Sequence, residues 1–140
     1  MVDVRDACED DAPTIAATEA AAASHPWRLH QIIASLRADS SLAIVSGTHA
    51  HVLMSVAGPS ADVLTVAVHP THQRRGIAHQ LLSTVHDRLR DIGTLEVFLE
   101  VRTDNTQALR LYERLGYLIV GKRKRYYDDG CDAAVMRLDL

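Results

Sequence analysis

Hydrophobic and polar residues alternate in patterns that divide the chain into short strands and amphipathic helices. In the central segment, residues 63–68, β-branched apolar residues dominate, which indicates a strand that Pro70 ends. From Ile77 to Ile92 the apolar residues recur at three- and four-residue spacing, which predicts a helix. Residues 95–101 alternate again, with leucine and valine on one side and Glu100 on the other, so they predict a second strand.

Weaker patterns supply the other elements of the chain. They are a strand over residues 2–7, a helix beginning at Asp10–Pro13 with a capping carboxylate, a helix ending near Asp39, a hairpin over 41–58, a short helix after Asp104 or Asn105 that Gly116 ends, and two strands over 117–126 and 133–138. The order βααβββαβαββ predicts an α/β fold in one domain, residues 1–140. We expect a mixed, mostly antiparallel sheet with helices on both faces.

Length, composition and charge restrict the class of protein. The 140 residues are enough for one domain with a sizeable core, and 47% hydrophobic and 24% charged residues are typical of a soluble globular protein. A net charge of −3 argues against a general nucleic-acid binder. No apolar run is long enough for a membrane span, and the acidic N-terminus does not resemble a signal peptide, so we expect a cytoplasmic protein.

The turn between the central strand and the long helix has the features of a phosphate site. Gln73, Arg74, Arg75 and Gly76 lead directly into the helix that starts at Ile77. The first amides of a helix lack intrahelical partners and favour negative charge, and a glycine allows a phosphate oxygen to approach the backbone. The alternative is an ordinary strand–turn–helix corner with two surface arginines.

Other candidate residues point to chemistry less clearly. The eight histidines are not joined by a persuasive set of carboxylates or thiols, so we predict no metal site; His79 and His86 are placed on the polar side of their helix. The two cysteines are expected to be reduced thiols. The basic block Lys122–Arg125 fits a solvated strand, or a surface that attracts an anionic partner.

Glu100, Asn105 and Tyr112 are more informative because of their spacing. Glu100 lies near the end of a strand that is expected beside the central one, and the short helix follows directly. Asn105 and Tyr112 are seven residues apart and are therefore expected on one helix face. This strand–helix unit brings a carboxylate, an amide and a phenol toward the same end of the sheet. Each residue alone also fits a purely structural role.

With these motifs in their order, the chain resembles the GCN5-related N-acetyltransferase superfamily. The resemblance is to its ribosomal-protein-alanine N-acetyltransferase (RimI-like) branch and covers residues 25–127. The motifs that carry it are His25-Pro26-Trp27, Val66-Ala67-Val68-His69-Pro70, the Gln73–Ala78 loop, Leu99-Glu100-Val101-Arg102 with Asn105, Leu111–Tyr117 and Arg125-Tyr126-Tyr127. The chain departs from the pattern at Ala78, which replaces a second glycine, and at His79, where arginine is common.

The resemblance implies roles for particular residues. Acetyl-CoA is expected as the acetyl donor, with Glu100 as general base and Tyr112 as general acid. Donor contacts are implied for Val66, Ala67, Val68, Arg74, Arg75, Gly76, Ile77, Ala78, His79, Asn105 and Tyr112. Trp27, Tyr126 and Tyr127 are expected to line the acceptor groove, although Trp27 fits a core position equally well.

The implied reaction transfers acetyl directly to the N-terminal amine of a protein. A ribosomal protein that begins with alanine or another small residue is the expected acceptor. Neither a nucleic acid nor a membrane is expected as a partner. Two alternatives remain open: an acetyltransferase for a small-molecule amine, and a regulatory module that binds acyl-CoA without turnover.

Overall fold

The computed structural model of the protein describes residues 3–140; Met1 and Val2, including the start of the predicted first strand, lie outside this range. Its helices are α1 (Ala12–Ala22), α2 (Leu29–Arg37), α3 (Ile77–Asp91) and α4 (Thr106–Arg114). Its strands are β1 (Arg5–Asp6), β2 (Ser41–Ser46), β3 (Ala50–Ala57), β4 (Ser60–Val68), β5 (Glu96–Arg102), β6 (Leu118–Arg123) and β7 (Ala133–Asp139). Single 3-10 turns lie at Glu9–Asp11 and Pro70–His72. The predicted order of strands and α-helices is confirmed.

All seven strands form one sheet in the order β1-β2-β3-β4-β5-β7-β6. Five of the six neighbouring pairs are antiparallel, and only β4 and β5 run parallel. The prediction of a mixed, mostly antiparallel sheet is therefore confirmed. The parallel pair lies in the middle of the sheet, and α3 makes the crossover between its two strands.

Hydrophobic residues pack on both faces of this sheet, as predicted. Residues of α3 and α4, such as Leu82 and Tyr112, pack with Val97, Leu99 and Val101 of β5 on one face. We call this the α3/α4 face. On the other, the α1/α2 face, Ile15 and Ile32 pack with Leu53 of β3. Successive strand residues point to opposite faces, so each strand supplies both layers.

The expected carboxylate cap of the first helix was wrong. Asp11 is the residue before α1, but its own backbone is helical because the 3-10 turn runs directly into the helix. Its side chain instead accepts the Cys8 amide hydrogen at 2.8 Å and pairs with the Arg5 guanidinium. Asp11 thus closes the preceding turn, and these contacts hold the pKa of its carboxyl at about 2.

His86 is buried, which contradicts the prediction that it lies on the polar side of its helix. Its side chain is on the inner side of α3, and its Nε2 lies 2.8 Å from the hydroxyl of Tyr117. The phenol supplies the polar partner that a buried imidazole needs, so histidine is tolerated at this core position. Burial also lowers the pKa of His86 to about 4.

Candidate active site

The two parallel strands at the centre of the sheet separate before they end. β4 and β5 pair only at Ser60–Asp62 with Glu96–Phe98. Beyond this, β4 continues to Val68 along β3, and β5 continues to Arg102 along β7. The facing backbone groups of Val63–Val68 and Leu99–Arg102 therefore have no strand partner across the gap. A separation of this kind exposes peptide donors and acceptors in the middle of a sheet, where a ligand can pair with them. We call this gap the slot.

A β-bulge in β4 lies where the slot begins. Leu53 pairs with Thr65 and the next residue, Met54, pairs with Val63, so Leu64 is an extra residue without an opposite partner. A bulge bends the strand that carries it and increases its twist. The bend coincides with the point at which β4 separates from β5.

The turn that follows β4 leads into the start of α3. The Gln73 side chain donates to the carbonyl oxygen of Val68 at 2.9 Å, which fixes the turn to the end of the strand. Arg74 and Gly76 both have positive φ values, 65° and 74°. Gly76 is the N-cap of α3 and offers no side chain to its first amides. Apart from its chain neighbours, no heavy atom of the described residues lies within 4 Å of the point where a Cβ of Gly76 would be. The geometry suits an anion that approaches the helix N-terminus.

The other predicted donor residues are distributed around the slot and this turn. Ile77 belongs to the buried core on the α3/α4 face, so only its backbone can face a ligand. His79 and Arg75 are exposed, and Ala78 is partly buried. Asn105 is the N-cap of α4 rather than part of the helix face that carries Tyr112, and its Oδ1 accepts from the Ala108 amide at 3.1 Å.

Glu100 lies on the α1/α2 face of β5. Its neighbours Leu99 and Val101 point into the core of the opposite face. The Glu100 carboxylate lies 3.2 Å from the Arg123 guanidinium of β6, and its side chain is 32% exposed. The carboxylate is therefore accessible to a bound molecule, and its charge is paired with that of Arg123.

Tyr112 lies in the core on the α3/α4 face. It is buried, and its ring meets the ring of Tyr117 edge-on with 5.7 Å between centroids. Burial raises the pKa of the Tyr112 phenol above its ordinary value, and the charge of Tyr127 raises it further. The phenol therefore keeps its proton throughout the neutral range, as a proton donor must.

Tyr127 lies near both candidate catalytic residues. Burial raises the pKa of the half-buried Tyr127, and the negative charge of Glu100 raises it further. The Arg102 guanidinium lies over the Tyr127 ring at 4.9 Å and also contacts Asp129 at 2.6 Å. The Tyr127 ring lies 6.5 Å from the ring of His25, in the loop between α1 and α2. Two loops thus meet on the Glu100 side of the slot.

Tyr126 and Trp27 are the other two aromatic residues that were predicted to line the acceptor groove. Tyr126 is half exposed, with its ring edge-on to Tyr127 at 5.2 Å. Trp27 is partly buried and packs against the core cluster under α1 and α2. This position fits the core interpretation of Trp27, while its neighbour His25 faces Tyr127.

A buried acid that the sequence did not single out lies under the same loop. Glu19 of α1 is 1% exposed, and its carboxylate oxygens contact His51, Thr65 and the backbone amide of Trp27. The only signal in the sequence is that one acid interrupts the alanine-rich run of α1. His51 and His49 are two residues apart, so strand alternation alone would place them on one face. His49 precedes β3 and stacks on His72 instead, with 4.0 Å between ring centroids.

The basic block is exposed, and two of its side chains form ion pairs: Lys122 with Asp132, and Arg123 with Glu100. Within residues 3–140, no three His, Cys, Asp or Glu side chains are grouped so that they could hold a metal ion. In the same range, no helix has the length and hydrophobicity needed to cross a membrane. Both cysteines are free thiols.

Comparison with known families tests the resemblance. The profile of the acetyltransferase (GNAT) family matches residues 6–117, which is most of the chain. The chain belongs to this family. The match includes the slot, the turn before α3 and both candidate catalytic residues.

Individual relatives point to one branch of the family. The chain is 48% identical over 79 residues to N-alpha-acetyltransferase RimI of Mycobacterium tuberculosis. The aligned segment covers 56% of this chain and 48% of that protein. The chain is 37% identical over 83 residues to the [ribosomal protein bS18]-alanine N-acetyltransferase of Escherichia coli K12, covering 57% and 56% of the two chains. The chain thus aligns with about half the length of these curated relatives.

Solved structures extend the similarity to the whole fold. The crystal structure of the ribosomal-protein-S18-alanine N-acetyltransferase from Escherichia coli superposes with a TM-score of 0.92 and 29% identity, covering 99% of this chain and 94% of that one. Arabidopsis thaliana NAA60, solved in complex with acetyl-CoA, superposes with a TM-score of 0.89 at 15% identity, covering 100% and 99%. The second similarity concerns the fold alone. Both agree with the predicted GNAT-type architecture.

Proposed function

We propose that the protein transfers the acetyl group of acetyl-CoA to the α-amino group of a protein N-terminus. The acceptor is a ribosomal protein that begins with alanine or a similar small residue. The proposal is supported by the relatives that are named as N-alpha-acetyltransferases and by the 0.92 superposition on a ribosomal-protein-alanine acetyltransferase.

The observation that carries the proposal is that Glu100 and Tyr112 lie on opposite faces of the sheet that contains the slot. Glu100 belongs to the α1/α2 face and Tyr112 to the α3/α4 face, so they would reach a ligand in the slot from opposite sides. Direct acyl transfer needs a base on the side of the attacking amine and an acid on the side of the departing thiol. The loops that carry His25 and Tyr127 meet on the Glu100 side, which is therefore the acceptor side.

The donor is assigned to the slot and to the turn before α3. The unpaired edge of β4 at Val66–Val68 would pair with the pantetheine amides of acetyl-CoA. Its pyrophosphate would lie at the amides that follow Gly76, between Arg74 and Arg75. Ala78, His79 and Asn105 would complete the donor surface. A β4 amide could also stabilise the negative charge that develops on the acetyl oxygen.

In the reaction, Glu100 removes a proton from the attacking amine, directly or through a water molecule. The amine nitrogen forms a bond to the acetyl carbon, the carbon–sulfur bond of the thioester breaks, and Tyr112 donates its proton to the departing thiolate. The products are an N-acetylated N-terminus and CoA. Tyr112 still carries its proton at neutral pH, because burial raises the pKa of its phenol.

The basicity of the acceptor explains why a partly exposed carboxylate such as Glu100 is a sufficient base. An α-amino group has a pKa of about 7.7–8.0, so roughly a tenth of it is neutral at pH 7. A lysine side chain, with a pKa of about 10.4, requires on the order of 3.5 kcal/mol more to reach its neutral form. An N-terminal amine therefore needs a weaker base than a lysine side chain would need. Tyr126 and Trp27 belong to the two loops that would surround it.

The proposal is tested with a panel of short peptides that differ only in their first residues. We expect acetyl-CoA-dependent acetylation of peptides with a free N-terminal alanine or similar small residue. Mass spectrometry should locate the acetyl group on the α-amine. The control is the same peptide with a blocked N-terminus and one internal lysine, which should be modified poorly at pH 7. Acetyl groups mainly on lysine, or turnover of small amines only, would contradict the proposal.

A further inference from the structure

The Glu19 carboxylate collects hydrogen bonds from three separate parts of the chain. Its Oε2 lies 2.7 Å from Nε2 of His51 on β3 and accepts the hydroxyl hydrogen of Thr65 on β4 at 2.9 Å. Its Oε1 accepts the backbone amide hydrogen of Trp27 at 3.0 Å. Glu19 and His51 are each 1% exposed, so the contacts are shielded from water.

These partners belong to the two parts of the site that must be kept at a fixed separation. Trp27 lies in the loop between α1 and α2, which also carries His25 toward Tyr127 on the acceptor side. Thr65 lies on β4 beyond its last pairing with β5, on the strand that borders the slot. One carboxylate thus connects the acceptor loop to the donor strand.

Stability alone is a poor reason for an acid at this position. A buried carboxylate loses its hydration, and an apolar side chain of similar size is often at least as stabilising. Burial by itself would raise the pKa of Glu19, but the bonds from His51, the Trp27 amide and Thr65 together hold it below its ordinary value. The carboxylate is therefore charged and fully engaged, and what it adds is a specific geometry of the loop.

We propose that Glu19 is a positioning residue for the acceptor: through the Trp27 amide and the Thr65 hydroxyl, with His51 as the third partner, it holds the α1–α2 loop in the conformation that binds the peptide N-terminus. This inference rests on the proposed function. It assigns Glu19 no contact with either substrate. A loop that occupies its binding conformation for only a fraction of the time weakens the apparent affinity by that fraction.

The test compares two substitutions of Glu19. Glu19→Met keeps the length and apolar volume but removes both acceptor oxygens, and we expect the KM for the peptide to rise about 10- to 100-fold, the range for losing a hydrogen bond to a charged group. The KM for acetyl-CoA should stay within about twofold of wild type. Glu19→Gln keeps an oxygen for the Trp27 amide and should retain most of the peptide affinity. Ile15→Val, one turn earlier on α1 and in the core cluster that Trp27 packs against, is the control: it should lower Tm without changing the peptide KM.

Hydrogen–deuterium exchange provides a readout that does not depend on activity. The Trp27 amide should exchange slowly in wild type and in Glu19→Gln, and faster in Glu19→Met. An equal rise in both KM values, or unchanged exchange at Trp27 in folded Glu19→Met, would overturn the inference. If Glu19→Met does not fold, Thr65→Val serves instead: it should raise the peptide KM about 3- to 10-fold, and an unchanged value would refute the role. Absence of peptide acetylation by the wild-type protein would refute the proposed function, whereas the exchange experiment would still test the loop contact.

Discussion

Glycines at the two ends of α3 provide a matched test of the phosphate site. Gly76 precedes the helix with φ 74°, and Gly93 follows it with φ 87°. Neither has a protein atom, other than its chain neighbours, within 4 Å of its Cβ position in the described structure. Alanine at either position is therefore not excluded by contact, and its cost is the strain of a left-handed backbone, about 1–2 kcal/mol. For a protein of this size that corresponds to a fall in Tm of roughly 4–8 °C.

The two variants should differ only in their response to CoA. A ligand at about 100 times its Kd stabilises the folded state by roughly 2.7 kcal/mol, which raises Tm by about 10 °C. Gly93→Ala should keep this increase, because it is remote from the turn. Gly76→Ala should lose most of it, because its methyl group occupies the space where a phosphate oxygen would approach. Gly76→Val should lose more, since its side chain is larger.

Thermal unfolding with and without CoA, at several CoA concentrations, measures this difference directly. Isothermal titration of the two folded variants would separate affinity from stability. If CoA raises Tm equally in Gly76→Ala and Gly93→Ala, the start of α3 does not hold the phosphates. If CoA leaves the wild-type Tm unchanged at millimolar concentration, the donor assignment itself fails.

Three further predictions concern titratable groups. Glu100→Gln should reduce kcat/KM by roughly 10²–10⁴-fold at pH 7, and the loss should shrink toward pH 9 as solvent deprotonates the amine; a wild-type rate would exclude Glu100 as the base. Tyr112→Phe should reduce kcat/KM less than Glu100→Gln does, because a thiolate whose thiol has a pKa near 8.5 can leave unprotonated. Since the pKa of Tyr112 is raised, the wild-type pH–rate profile should show no basic limb from this phenol below about pH 10. His86 has a pKa of about 4 in the folded state, so near neutral pH it binds fewer protons there than in the unfolded chain. The free energy of unfolding should therefore fall by up to about 3 kcal/mol as the pH drops from 6.5 to 4. Denaturation measured at several pH values should not show this contribution in a His86→Leu, Tyr117→Phe double variant.

The arrangement of strands and helices was largely predictable because each element carries its own pattern. The alternation around Glu100 and the three- and four-residue spacing from Ile77 to Ile92 are local properties of the chain. The resemblance to a known family likewise depended on contiguous motifs. These features therefore did not require knowledge of tertiary contacts.

The polar groups in the interior were not predictable in the same way. Glu19 resembles a solvent-exposed helix residue until His51, Thr65 and the Trp27 amide converge on it from 8 to 46 positions away in the chain. His86 was assigned to the polar side of α3 because its partner, Tyr117, lies 31 residues later. Such pairs depend on the tertiary fold, and no local sequence pattern predicts them.

The brief pairing of β4 with β5 also affects the mechanics of the sheet. Strands β1–β4 form one half of the sheet and β5, β7 and β6 form the other. Within residues 3–140, three opposed residue pairs join the two halves along the border between β4 and β5. The two halves are therefore paired at Ser60–Asp62 and separate toward the slot. A molecule that forms hydrogen bonds to both β4 and β5 in the slot would connect the two halves of the sheet. We therefore expect the bound donor to stiffen the sheet as a whole, in addition to filling the slot.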